Sequence, residues 1–229
     1  VSLPSPYWQS DDGRHVIYCA DCLSILPHLT GVDAVVTDPQ YGVDEAYASG
    51  KDDSESVVLA LSAIDKCRKI ASRVILTPGV THLFSYPRPT WTGSFYYPAG
   101  IGCSAWGFVC WQPILFYGKD PFLADGKGSQ PDSKQSSEPA EKNGHPCPKP
   151  IGQWTWLVTR TTRYGETVAD CFMGSGTTGV ACIRTGRRFI GVEIEPKYCA
   201  IAVERMEREL AQPCLPTMEP ERTKQEVLL

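Results

Sequence analysis

The chain has 229 residues, a hydrophobic fraction of 42% and a formal net charge of −4. That length suits one domain with room for a small insert, and the apolar fraction supplies a core large enough to exclude whole-chain disorder. No apolar run approaches the roughly 18 residues of a membrane span, residues 1–10 lack the basic-then-apolar order of a secretory signal, and the acidic balance excludes an all-over basic coat for nucleic acid.

Contact with nucleic acid would therefore rest on a local patch. One candidate group is Lys66, Arg68, Lys69, Arg73 and Arg88; another is Lys142, Lys149, Arg160 and Arg163. Read alone, each group is more simply a solvated helix face. The ten cysteines read as reduced thiols. Cys19 and Cys22 form a lone Cys-x-x-Cys without the second pair or nearby histidines that zinc requires, so no metal site is expected.

In chain order, His15 to Ala20 reads as a strand, followed by a short helical turn carrying Leu23, Ile25, Leu26 and Leu29. Ala34 to Thr37 is a buried strand that runs into Asp38-Pro39. Apolar residues at Val58, Leu61, Ile64, Cys67 and Ile70 predict a helix over 55–71, and Arg73 to Thr77 a further strand stopped by Pro78-Gly79. Aromatic residues crowd 86–120, where an antiparallel hairpin is expected, with a strand within Phe108 to Tyr117. The stretch 124–144, rich in Gly, Ser, Pro and Gln, reads as a linker or mobile loop. A short helix over 151–162 leads to a strand at Thr167 to Asp170, a glycine loop, a helix to about Arg184, a strand at Arg188 to Glu193, and a last helix opened by Pro196. Alternating strands and helices predict an α/β sheet with crossover helices.

Two segments carry chemistry. The loop after Asp170 contains Gly174-x-Gly176-x-x-Gly179, preceded by a strand, followed by a helix, and answered by an acid at the end of the next strand, Glu193. Glycines let such a loop turn tightly, and the acid can accept hydrogen bonds from both hydroxyls of a ribose. A nicotinamide dinucleotide is the first competitor for this unit. Asp170 favours S-adenosylmethionine instead, because that ligand carries an ammonium for the carboxylate to face. The second segment is Thr37-Asp38-Pro39-Gln40-Tyr41-Gly42. An aromatic amine on a base is a poor nucleophile, since its lone pair is delocalised into the ring. The Asp38 carboxylate and the Pro39 carbonyl can draw that amine toward tetrahedral geometry, and Tyr41 offers a flat surface for an extruded base. With an electrophilic methyl donor, positioning and electrostatics carry the rate.

Asp38-Pro39-Gln40-Tyr41 resembles the Asp-Pro-Pro-Tyr motif of amino-methylating DNA methyltransferases. Asp170 to Thr178 is similar to their donor-binding loop, Phe189 to Glu193 to their ribose-binding strand, His145 to Pro150 to the segment before that loop, and Cys19 to Leu26 to the turn whose acid, here Asp21, lies near the donor's adenine. With the catalytic motif first and the donor motifs last, the order matches the permuted β group, and the resemblance runs over roughly 14–211. It implies a Rossmann-like S-adenosylmethionine-dependent methyltransferase fold: a mostly parallel seven-stranded sheet with helices on both faces. It further implies one domain over 1–211, with a catalytic half at 14–85, a target-recognition segment and mobile loop at 86–144, a donor-binding half at 145–211, and a flexible tail at 212–229. Asp38, Pro39 and Tyr41 are the implied catalytic residues. Asp21, Lys149, Asp170, Phe172, Gly174, Ser175, Gly176, Thr177, Thr178 and Glu193 are the implied donor-binding residues.

The implied substrate is DNA, with N6 of adenine favoured by the opening Asp and N4 of cytosine as the alternative. The implied setting is the cytoplasm, with a prokaryotic or phage-borne gene and no membrane. The segment 86–144 is short for elaborate base readout, which leaves recognition of a few base pairs, a homodimer or a partner subunit as alternatives. One departure stands out: the family's second proline is Gln40. A proline there would hold Pro39 extended and aim its carbonyl, so reduced activity, or a relative that binds donor and DNA without turnover, is the competing expectation. An RNA base or a protein glutamine would satisfy the same amine logic. Cytosine C5 chemistry is disfavoured, because no Pro-Cys nucleophile follows the Ala34–Thr37 strand.

Overall fold

The computed structural model describes residues 3–39, 46–47, 50–51, 54–104, 106–127, 130–136 and 138–212. Gln40 and Tyr41 lie outside the described residues, as does the expected tail beyond Gln212. The first half contains β1 (Trp8–Gln9), β2 (His15–Cys19), α1 (Cys22–Ile25), β3 (Val32–Thr37), a small ladder of β4 (Ala46–Tyr47) with β5 (Gly50–Lys51), α2 (Ser54–Ile70) and β6 (Ala71–Leu76). Then come β7 (Trp91–Tyr96), β8 (Gly102–Ser104), β9 (Gly107–Val109), β10 (Trp111–Tyr117), α3 (Pro121–Ala124) and β11 (Ser133–Gln135). The chain continues through α4 (Ile151–Thr161), β12 (Thr167–Asp170), α5 (Thr177–Thr185), β13 (Arg188–Glu193) and α6 (Pro196–Leu210).

The main sheet runs β1-β2-β13-β12-β3-β6-β10-β7-β11, nine strands rather than the seven expected. The additions are the edge pieces β1 and β11, two and three residues long, too short for a hydrophobic period to reveal. From β2 through β13, β12 and β3 to β6 every pairing is parallel. The expected hairpin is β7 with β10, antiparallel to each other, and β10 is also antiparallel to β6.

The central strands read as unbroken apolar runs because both their faces are covered. Ala34, Val36, Ile75, Val168 and Phe189 point into one core, closed by α4, α5 and α6 through Trp154, Leu157, Val180, Ala202 and Met206. Val35, Val74, Leu76, Ala169 and Val192 point into the other, closed by α1 and α2 through Ile25, Ile64 and Cys67. Phe189 is fully buried, worth about 1.5–3 kcal/mol relative to exposure. On α2 the buried stripe is Val57, Ala60, Ala63, Ile64 and Cys67, while Val58 is 66% exposed. The stripe is therefore set one residue away from the expected start, as three- and four-residue steps back from Ile64 require.

Two further readings need correction. Most of the basic residues considered for a nucleic-acid patch are engaged locally: Arg73 pairs with Glu166 at 2.9 Å, Arg160 with Asp120 at 2.7 Å, Arg163 with Asp125 at 2.6 Å and Lys69 with Asp65 at 2.6 Å. Arg68 lies over the Tyr117 ring at 5.1 Å. The stretch 124–144 is more than a linker. It supplies β11, which pairs with β7, while Glu138 accepts from the Gly152 N–H at 2.9 Å and Glu141 bonds Arg205 and Arg208 at 3.1 and 2.8 Å. Composition records charges but not the partners that folding brings to them.

Candidate functional site

Four neighbouring parallel strands, β2, β13, β12 and β3, reach the same cavity at their carboxyl ends, and each brings an acid there: Asp21, Glu193, Asp170 and Asp38. The crevice outside the carboxyl ends of strands is where open α/β sheets hold ligands, since the loops diverge there toward opposite faces. The cavity has a volume of about 280 Å³, and Pro39, His145, Lys149, Phe172, Gly174, Ser175, Thr177 and Thr178 also line it.

Each acid is positioned by its own local structure. Asp21 caps α1, accepting from the Leu23 N–H at 2.9 Å. Glu193 accepts from the N–H groups of Gly174 and Glu195, both at 2.9 Å. A carboxylate has about four acceptor positions, so this geometry leaves capacity for the two hydroxyls of a ribose. Burial lifts the Glu193 carboxyl above its usual range. Asp170 is 2% exposed and accepts from the Thr178 hydroxyl at 2.5 Å, the Thr37 hydroxyl at 2.6 Å and the Phe172 N–H at 3.1 Å. Burial outweighs these bonds and pushes its pKa up to about 6. A cation brought against this carboxylate would draw it back toward full ionisation.

The glycines of the loop serve its shape. Gly174 and Gly176 have φ of +53° and +78°, in the left-handed region. A Cβ on Gly176 would stand 2.8 Å from that of Ala202, and one on Gly179 2.6 Å from the Met206 sulfur. Gly176, expected among the donor-binding residues, is not among those lining the cavity; it turns the chain into α5 where α5 packs on α6.

Asp38, just past β3, is held from three sides: by the Thr77 hydroxyl, by Gln112 Nε2 at 3.3 Å and by Lys149 Nζ at 2.7 Å. Lys149 was expected among the donor-binding residues. It lines the cavity, but its ion pair is with Asp38. Nearby, His145 Nδ1 accepts from the Cys147 N–H at 3.1 Å, and its ring meets Tyr198 edge-on at 4.6 Å. Burial first, and Lys149 second, depress its pKa to about 4, leaving a neutral imidazole at pH 7.

Sequence reading missed Thr37, Thr77, Gln112 and Arg205. Arg205 is buried on α6; it bonds the Ser175 carbonyl and the Thr177 hydroxyl (the latter at 3.2 Å) and reaches Glu141 on the other side. Its signal was an arginine in phase with the buried stripe of Tyr198, Cys199, Ala202 and Met206.

The lining fits S-adenosylmethionine better than a dinucleotide. Among the described residues Lys149 is the one Lys or Arg lining the cavity, and it is paired with Asp38, whereas carboxylates line the space on several sides. With Glu195 beside Asp21, Asp38, Asp170 and Glu193, five carboxylates line the cavity. A pyrophosphate would meet repulsion there; an ammonium and ribose hydroxyls would meet acceptors. Among the described residues no cluster of His, Cys, Asp and Glu is suited to a metal, and no helix is long and apolar enough to cross a membrane.

A family model described as DNA methylase, for N6/N4 methyltransferases, matches residues 85–204. The type II methyltransferase M2.DpnII of Streptococcus pneumoniae is 45% identical over 65 residues, 28% of this chain and 24% of that protein. The DNA adenine methyltransferase YhdJ of Escherichia coli is 36% identical over 67 residues, 29% of this chain and 23% of that protein. These matches thus span about a quarter of the relatives' length. A longer, weaker match, 23% identical over 235 residues, covers 84% of this chain and 74% of the type II methyltransferase M.HpaI of Haemophilus parainfluenzae. Among solved structures, the M1.HpyAVI–SAM complex has the same fold at a TM-score of 0.66 and 21% identity, covering 84% of this chain and 98% of that one. The cytosine-N4-specific PvuII DNA methyltransferase follows at a TM-score of 0.64 and 15% identity, covering 91% and 92%.

Proposed function

The chain belongs to the N6/N4 DNA methylase family, and from that premise we propose that it transfers a methyl group from S-adenosylmethionine to the exocyclic amino group of a base in DNA, N6 of adenine ahead of N4 of cytosine. The observation that carries this reading is the delivery of Asp38, fixed by Thr77, Gln112 and Lys149, into the cavity that Asp21, Asp170 and Glu193 line. When bound, S-adenosylmethionine supplies a methyl group made electrophilic by its sulfonium. Glu193 holds the ribose, Asp170 faces the ammonium, and Asp21 lies beside the adenine. Asp38 and the Pro39 carbonyl accept the two N–H bonds of the target amine, and Tyr41 stacks on the base. Because Asp38 is held before the base arrives, little reorganisation is left for the reaction itself.

Asp38 precedes the loop at 170–178 in the chain, which is the permuted order of the β group. The preference for adenine rests on the Asp that opens the motif. The relatives carry both specificities, YhdJ for adenine and PvuII for cytosine N4. Gln40 supports a second reading, a protein that binds donor and DNA without turnover. Incubating the protein with labelled donor and unmethylated DNA of mixed sequence, then digesting to nucleosides, tests the proposal. Label in N6-methyladenine is expected. Label in N4-methylcytosine would shift the base, donor binding without transfer would favour the second reading, and neither binding nor transfer would overturn both.

A further inference from the structure

From Trp91 to Gly118 the chain carries no charged side chain. In its middle, β8 and β9 form a separate hairpin, with Gly102 opposite Val109, Cys103 opposite Phe108 and Ser104 opposite Gly107. The hairpin exposes its largest apolar groups: Trp106 at the tip is 100% exposed, Phe108 78% and Ile101 49%. Gly107, at φ +117°, gives the turn beside Trp106 a backbone conformation that other residues resist.

The base of this hairpin is anchored in the catalytic site. The Tyr97 N–H donates to the Cys110 carbonyl at 2.8 Å, closing the hairpin at its root. The Tyr97 hydroxyl contacts Gln112 Oε1 at 3.3 Å, and Gln112 Nε2 donates to Asp38 at 3.3 Å. The return arm from Trp106 to Cys110 spans four residues, so at about 3.3 Å per residue Trp106 stands no more than about 13 Å from the hairpin root. A duplex that presents a base to Asp38 therefore passes within reach of Trp106 and Phe108. Without lysine or arginine, this surface offers phosphates no opposite charge. It offers flat apolar rings, which suit the faces of unstacked bases and the gap that an extruded base leaves.

We propose that the hairpin at 97–110 is a DNA wedge in which Trp106, supported by Phe108, stacks on bases at the step opened for the target, and that it thereby promotes delivery of that base to Asp38. This rests on the methyltransferase reading above. A wedge of this kind releases no counterions, so its share of the affinity is independent of salt.

The test compares the wild-type protein, Trp106→Ala, Trp106→Phe and Trp106→Ala/Phe108→Ala. The readouts are single-turnover transfer to unmethylated mixed-sequence DNA, duplex affinity at about 50 and 200 mM salt, donor affinity, and sedimentation velocity. Trp106→Ala should lower DNA affinity and transfer by roughly tenfold. The loss should be the same at both salts, with donor affinity unchanged and most of the function kept by Trp106→Phe. An active wild type whose double variant matches it in transfer and DNA affinity would overturn the wedge and leave the methyltransferase reading standing. A change of oligomeric state in the alanine variants, with DNA affinity intact, would make the hairpin a protein contact and also overturn it. Absence of transfer and of DNA binding by the wild type would overturn the parent reading and the wedge with it.

Discussion

The proposed donor side and the proposed DNA side of this molecule are built in opposite ways. On the donor side, the buried Asp170 and the half-buried Glu193 are fixed by threonine hydroxyls and backbone N–H groups, and Arg205 ties the loop at Ser175 and Thr177 to the 138–147 segment through Glu141. On the DNA side, Trp106 and Phe108 stand in solvent on a charge-free hairpin. The contrast follows from the ligands. A small donor with fixed charges is best met by acceptors oriented in advance. A duplex must be opened before it can react, and large apolar rings suit that task at little conformational cost. Asp38 lies between the two, held by Thr77 and Lys149 and connected through Gln112 to the root of the hairpin.

Removing Glu193 should sharpen the contrast most. Glu193→Ala should weaken donor binding by roughly a hundredfold or more by calorimetry, the worth of a pair of hydrogen bonds to a charged group at about 1.5–3 kcal/mol each, while DNA affinity stays within twofold. Unchanged donor affinity would remove Glu193 from the donor side. Gln40→Pro should act on the other side. By restoring an extended Pro39 it should raise the single-turnover rate about tenfold, or roughly 1.4 kcal/mol of barrier, with donor affinity unchanged. A slower enzyme with an intact fold would instead give Gln40 a contact of its own.

A smaller effect concerns pH. Asp170, raised to about 6 by burial, holds its proton more tightly in the fold than in the unfolded chain. It therefore lowers stability as pH rises from about 4 to about 6, and that cost persists above 6. Donor binding should move the other way, tightening several-fold between about pH 5 and 7 as the carboxylate forms. Asp170→Asn should flatten both trends, checked by urea melts and calorimetry across that range. Unaltered slopes in the variant would assign them to another group.

The donor side was the more legible in sequence, for a physical reason. Its strand–loop–helix–strand unit is local, so the places of Asp170, Gly174 and Glu193 follow from spacing, and the resemblance added Thr178. Asp38 and Pro39 were legible through their motif. Thr77 and Gln112 were not, because nothing near them in sequence says that β6 and β10 will bring them to Asp38. The same non-locality hid β11 and the ion pairs of Arg73 and Arg160. The left-handed turn at Gly176 was legible from the glycine itself, whereas its close approach to Ala202 on α6 was not.

The most direct test of the account is single-turnover methyl transfer by Asp38→Ala, performed on protein shown by calorimetry to bind S-adenosylmethionine with wild-type affinity. Removing the acceptor on the target amine should reduce transfer by on the order of a thousandfold or more, the scale of losing one strong preorganised electrostatic contact. Transfer by Asp38→Ala at a rate near that of the wild type would contradict the account at its centre.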